Sequence, residues 1–185
     1  MRESKLARPH LNLRNELMAI EVHPAIVKSL LWPDEEHTRA FAEALAKQVQ
    51  NAGPDLNASI QLRGDLGAGK TTLVRYLLKA LGVQGRIKSP TYAVVEPYTL
   101  SSASAEPLPI WHFDFYRFND PDEWEEAGFR EIFASPGLKL VEWPEKAGQH
   151  LPAADLVLAL ELKDSDARCV SVQALTPAGA KLVNA

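Results

Sequence analysis

The spacing of apolar residues changes repeatedly along this chain, and each change predicts an element. Residues 27–32 read as a short strand that Pro33 ends. Asp34 then stands where a helix cap belongs, ahead of Phe41, Leu45 and Val49, whose four-residue spacing stacks them on one helical face before Gly53-Pro54 stops the run. Residues 59–62 read as a strand and 72–81 as a helix ending at Gly82. Strands are expected over 91–95 and 109–114, with the small, polar stretch 101–105 as a flexible connection between them. Asp120-Pro121 opens a helix running to about Ala127, proline being harmless in a first turn, where its missing N–H has no helical partner. Residues 137–142 form a buried strand, and 156–162 with 168–174 an antiparallel hairpin around the polar turn 163–167.

Helices alternating with apolar strands imply an α/β layer fold: a mostly parallel central sheet flanked by helices, closed by the C-terminal hairpin. At 185 residues and 46% hydrophobic content the chain can bury one good core. The expected division is an N-terminal extension over 1–25, poorly ordered, and one domain over 26–185. The extension carries Arg2, Lys5, Arg8 and Arg14 but lacks the apolar stretch of a signal peptide. No segment approaches the roughly 20 apolar residues of a membrane span. A net charge of −4 argues against a surface that grips nucleic acid unaided, so any RNA role is expected to be indirect. The single cysteine, Cys169, excludes an internal disulfide, fits a reducing cytoplasm and reads as a strand-core residue.

Between the strand at 59–62 and the helix at 72–81 lies Gly64-Asp65-Leu66-Gly67-Ala68-Gly69-Lys70-Thr71, which matches G-x-x-x-x-G-K-[ST] in the context that pattern requires. The glycines let successive backbone N–H groups turn inward around phosphates at the positive end of the following helix, which Thr72 continues. Lys70 is placed to neutralise the β- and γ-phosphates of a nucleoside triphosphate, and the Thr71 hydroxyl to meet the Mg²⁺ that bridges them. Phosphoryl transfer also needs an acid near the metal and a group that orients the attacking water. Asp114 ends one buried strand and Glu142 another, so both emerge at the carboxyl edge of the sheet, where open α/β sheets bind ligands.

The strings GDLGAGKTT (64–72), SPTY (89–92), HFDFYR (112–117) and VEWPEK (141–146) occur in an order and spacing that resembles the bacterial TsaE family, formerly YjeE, over about residues 30–162. The resemblance implies a small P-loop ATPase that acts with TsaB and TsaD in forming N6-threonylcarbamoyladenosine in tRNAs reading codons that begin with A. In that pathway TsaC supplies threonylcarbamoyl-AMP, TsaD transfers the carbamoyl group, and ATP hydrolysis supports turnover of the complex. Carried over residue by residue, Asp114 corresponds to the metal-associated aspartate and Glu142 to the glutamate needed for hydrolysis through the metal or its water. Trp143 corresponds to the tryptophan beside the nucleotide, Ser89-Pro90-Thr91 to a switch-like segment that brings Thr91 to the γ-phosphate, and Thr38 to a threonine near the base pocket. The extension at 1–25 departs from the family pattern.

The nearest alternative is a small-molecule or nucleoside kinase, with residues 114–117 binding an acceptor. Such kinases close an arginine-rich lid, whereas here Arg117, Arg130 and Arg168 are scattered singly. A GTP-dependent switch would need an N-K-x-D-like motif, which the sequence lacks, and a scaffold that never hydrolyses ATP would need Glu142 to be structural. His112 is expected to orient Asp114 or to pack, and Arg117 to reach a phosphate, a partner's acid or solvent. His10, His23, His37 and His150 show no metal-ligand spacing.

Overall fold

The computed structural model describes residues 26–100, 107–163 and 166–183, and the expected extension (1–25) and connection (101–105) lie outside them. Seven strands form one sheet: β1 (Ile26–Trp32), β2 (Asn57–Arg63), β3 (Val95–Leu100), β4 (Leu108–Asp114), β5 (Gly137–Glu142), β6 (Leu156–Leu162) and β7 (Arg168–Ala174). Their order is β1-β7-β6-β2-β5-β4-β3. The inner strands β6, β2, β5 and β4 run parallel. At the edges β3 lies antiparallel to β4, and β7 and β1 complete an antiparallel flank beyond β6. β2 and β5 are buried along almost their whole length, as strands covered on both faces must be.

The sheet is covered on both faces. On one, α1 (Glu35–Ala52), α2 (Lys70–Ala80) and α5 (Pro177–Val183) pack over Ile60, Leu62, Ile110, Leu140 and Leu158. Asp34 caps α1 by accepting the His37 N–H at 3.1 Å, and Gly53, at φ 79°, ends it. On the other face Phe113 and Val141 meet α3 (Glu123–Glu126), α4 (Phe129–Ala134) and a 3₁₀ helix (Pro144–His150) through Phe115, Phe118, Trp124 and Phe129. Phe113 stacks edge-on against Phe129 with ring centroids 5.1 Å apart. This aromatic layer backs the strand ends that carry Asp114 and Glu142.

The expected strand at 91–95 is a turn instead, and β3 begins only at Val95. The Val94 N–H donates to the Pro90 carbonyl at 2.6 Å, and Ser89 and Thr91 spend their hydroxyls on Asp114, so this apolar-looking run is held as a loop. The helix expected from Asp120 shrinks to the single turn α3, because residues 119–120 donate their N–H groups to Glu123 and Gly128, at φ 72°, breaks the chain before α4. α4, the 3₁₀ helix and α5 are too short for apolar periodicity to mark them. The hairpin β6–β7 forms as expected. Cys169, expected in the core, is only half-buried, because Val170 and Val172 take the core face of β7 and its register partner Leu31 is exposed.

Candidate nucleotide site

The central strand β2 delivers residues 64–69 to the carboxyl edge of the sheet, and α2 leaves directly from them, its first turn closed by the Leu73 N–H on the Gly69 carbonyl at 2.9 Å. Gly64, Gly67 and Gly69 all take positive φ (134°, 83° and 103°), a region closed to most side chains, which is why the loop can curl around the helix N-terminus. At Gly64 a second constraint applies: a Cβ would lie 2.2 Å from the Leu160 carbonyl oxygen of β6.

Lys70 is the first residue of α2 and only 4% exposed. Its Nζ donates to the Gly64 carbonyl at 2.6 Å and the Asp65 carbonyl at 2.9 Å, and lies 3.8 Å from the centre of the Trp143 ring. Burial pushes the Lys70 ammonium below its ordinary pKa, against the opposing pull of Glu142, Glu145, Asp114 and Asp65. Trp143 reaches this position because its backbone turns through the left-handed region (φ 56°, ψ 48°) where β5 gives way to the 3₁₀ helix. The ring also packs against Tyr116, centroid to centroid 5.0 Å.

The two acids stand side by side, Asp114 being the register partner of Glu142 across β4 and β5. Both are buried, at 3% and 2% exposure, so their oxygens must find partners within the site. Glu142 Oε2 accepts the Thr71 hydroxyl at 2.8 Å and Oε1 lies 2.8 Å from His112 Nε2. Asp114 Oδ2 accepts the hydroxyls of Ser89 (2.8 Å) and Thr91, while Oδ1 accepts the Tyr116 N–H at 3.1 Å. The Asp114 N–H in turn donates to the Val94 carbonyl at 2.9 Å, and Val94, a β-branched residue, is held at φ 66°. The loop 89–94 is thus fastened to Asp114 from several directions while carrying local backbone strain.

Together these groups enclose a cavity of about 290 Å³, lined by Leu66, Gly67, Gly69, Lys70, Thr71, Thr72, Ser89, Thr91, Asp114, Tyr116, Glu142 and Trp143. Of the residues expected from sequence, Thr38 stands apart: it is buried in the first half of α1 and does not line this cavity. Gly64, Asp65 and Ala68 form the loop's frame, the Ala68 N–H closing it on the Asp65 carbonyl at 3.2 Å. Ser89 and Tyr116 also line the cavity; sequence reasoning placed Ser89 in the switch-like segment with Thr91 as its contact, and Tyr116 only in the acceptor-binding stretch of the kinase alternative. Period-two alternation puts His112 and Asp114 on one face of β4, yet His112 bonds to Glu142 on the neighbouring strand. Arg117 lies outside the cavity lining, its guanidinium 4.0 Å from the centre of the Tyr92 ring. Among the described residues no three His, Cys, Asp or Glu side chains form a preformed metal cage.

A glycine-rich loop on the central strand of a mostly parallel sheet, closed onto a helix whose first residues are lysine and threonine, defines a P-loop nucleotide-binding protein of the α/β class. Comparison with known proteins narrows this further. The family model described as threonylcarbamoyl adenosine biosynthesis protein TsaE matches residues 32–170, and the chain belongs to that family. It is 39% identical over 153 residues to the tRNA threonylcarbamoyladenosine biosynthesis protein TsaE of Haemophilus influenzae, covering 83% of this chain and 93% of that one. The TsaE protein of Aquifex aeolicus is 32% identical, with 80% and 96% covered. The crystal structure of Bacillus subtilis YdiB superposes with a TM-score of 0.66 at 26% identity, covering 86% of this chain and 93% of that one.

Proposed function

We propose that this chain is a magnesium-dependent ATPase that acts with TsaB and TsaD in forming N6-threonylcarbamoyladenosine in tRNAs reading codons that begin with A. The observation that carries the chemical part is the convergence of Lys70, Thr71, Asp114 and Glu142 on one cavity at the mouth of the phosphate loop. The names of its relatives support the biological part.

In this reading the backbone N–H groups of residues 64–72 cradle the phosphates and Lys70 exchanges its carbonyl partners for phosphate oxygens. The donors fit magnesium: a threonine hydroxyl and two carboxylates are hard oxygen ligands, and magnesium leaves its remaining positions to water and phosphate. Thr71, Asp114 and Glu142 would hold it, and it would supply charge neutralisation for the departing phosphate. Glu142, freed from the Thr71 hydroxyl, would serve hydrolysis through the metal or its water. Thr91 leaves Asp114 for the γ-phosphate, and Trp143 flanks the nucleotide. A place for Thr38 near the base rests on the family resemblance alone, since it is buried in α1 and does not line the cavity.

Among the described residues no arginine lines the cavity, although Arg168 Nε lies against the loop, 3.4 Å from where a Cβ on Gly69 would stand; a partner is expected to complete the site, and hydrolysis accelerates in the TsaB–TsaD assembly. Contact with tRNA runs through that assembly, in the cytoplasm; among the described residues no helix is long and apolar enough to cross a membrane. Residues 26–185 act as one ATPase domain and 1–25 as an appended extension. The test is reconstitution: purified TsaC, TsaB, TsaD, tRNA, threonine, bicarbonate and ATP, with and without this chain. Repeated rounds of modification only when the chain is present support the reading, and equal modification without it defeats it.

A further inference from the structure

We propose that His112 is a positioning residue for hydrolysis: its Nε2–H anchors Oε1 of Glu142 and thereby reserves Oε2 for the nucleotide side of the site. The proposal rests on the ATPase reading above and adds a residue that reading does not use.

His112 and Glu142 are 0% and 2% exposed and 2.8 Å apart. The two oxygens of Glu142 therefore have different partners and different prospects. Oε2 faces Thr71, which lines the cavity and whose hydroxyl is wanted by the metal when nucleotide binds. Oε1 faces His112, which does not line the cavity and has no competing hydrogen-bond partner among the described residues. Nucleotide binding can thus release one oxygen and leave the other fixed, so that the carboxylate keeps its orientation while its free oxygen takes a new partner.

The ring supports only one arrangement well. His112 Nδ1 is buried without a hydrogen-bond partner among the described residues. A proton on Nδ1 would leave a buried donor unmade and set the Nε2 lone pair against a carboxylate oxygen, whereas a proton on Nε2 makes a charge-assisted bond to Glu142. Geometry on β4 and β5 makes the contact possible. His112 pairs with Leu140, one same-face step before the Asp114–Glu142 pair, so its ring reaches diagonally forward onto the carboxylate. A ring that merely filled space would need no donor, and an apolar side chain of similar size would replace it.

The experiment compares His112→Leu, which removes the donor, with His112→Gln, whose amide nitrogen can reach the position of Nε2. Melting temperature, ATP affinity and single-turnover ATP cleavage in the TsaB–TsaD assembly are measured in the wild-type and in the Glu142→Ala background. The expected result is ATP affinity within about twofold of wild type, cleavage slowed about 10–100-fold in His112→Leu and partly restored in His112→Gln. In the Glu142→Ala background, His112→Leu should add nothing, because the group it acts through is gone. Wild-type cleavage by His112→Leu, or the same slowing in both backgrounds, overturns the proposal. Ring-nitrogen NMR of the unaltered chain tests it without any variant: a protonated Nε2 with a bare Nδ1 is expected, and the reverse tautomer overturns it. If the unaltered chain bound no ATP, the ATPase reading would fall, while the NMR result would still decide the His112–Glu142 contact.

Discussion

Replacing Gly64 by alanine should damage this protein far more than the same change at Gly67, although both glycines sit in the phosphate loop with positive φ. At Gly64 the new Cβ would lie 2.2 Å from the Leu160 carbonyl oxygen, and an ordinary carbon–oxygen contact is about 3.3–3.6 Å, so something must move by roughly 1 Å. Leu160 cannot easily retreat, because it lies within β6 and pairs with Val170 of β7. The loop must give way instead, carrying with it the Gly64 carbonyl that holds Lys70. Overpacking costs about 1–3 kcal/mol and a side chain at φ 134° about 1–3 more, for a total of about 2–6 kcal/mol. At Gly67 nothing lies within 4 Å of the added carbon, leaving only the cost of a left-handed alanine, about 1–2 kcal/mol. For a domain of this size 1 kcal/mol shifts the melting temperature by about 2–4 °C, so nucleotide-free melts should separate the variants. Urea unfolding gives the free energies, and ATP titration should show weaker binding by Gly64→Ala. Equal melting temperatures for the two variants would refute the claim that β6 packs rigidly against the loop.

Lys70→Ala should keep a melting temperature close to wild type and lose at least about tenfold in ATP affinity, read by equilibrium titration, since one strong phosphate contact exceeds 1.4 kcal/mol; wild-type affinity would contradict its role. Thr91→Val, which keeps the side chain's shape and removes the hydroxyl, should leave ADP affinity within about twofold and slow ATP cleavage by about tenfold or more. Equal losses for ADP and ATP would make Thr91 a structural clasp on Asp114. Lys139, almost wholly buried and held by Asn57 and the Ser135 and Gly137 carbonyls, is pushed by burial from 10.5 down to about 8. Between these values the unfolded chain binds the extra proton, so this group's contribution to stability rises with pH from about 8 to 10.5. The gap between wild type and Lys139→Met in urea unfolding should shift towards wild type across that window by up to about 3 kcal/mol, at about 1.4 kcal/mol per unit. A pH-independent gap would show that Lys139 keeps its ordinary affinity for the proton.

The parts of the site most legible in the sequence are those whose chemistry is local. The phosphate loop declares itself through glycine spacing, and Asp114 and Glu142 through their places at the ends of apolar strands, because strand direction alone delivers them to one sheet edge. Contacts made across strands left no such trace. Nothing in the string HFDFYR says whether His112 turns to Asp114, two residues along, or to Glu142 on the next strand; register decides that. The run 91–95 looks like a strand because its residues are apolar or β-branched, but hydroxyl bonds from Ser89 and Thr91 to Asp114 hold it as a loop. Trp143 could be placed beside the nucleotide only by resemblance, since its position over Lys70 depends on a left-handed backbone turn that a tryptophan does not advertise. Short helices such as α4 and α5 span too few turns for periodicity to show.

The central claim is that the groups at the mouth of the phosphate loop hydrolyse ATP, with Glu142 serving the reaction and not merely the fold. Phosphate release over many turnovers, measured for this chain and for Glu142→Ala at saturating Mg-ATP with TsaB and TsaD present, tests it most directly. The account predicts faster turnover in the assembly than alone, and a Glu142→Ala protein that melts normally and binds ATP normally but loses about 100-fold or more of that turnover. Turnover by Glu142→Ala equal to that of the unaltered chain would contradict it.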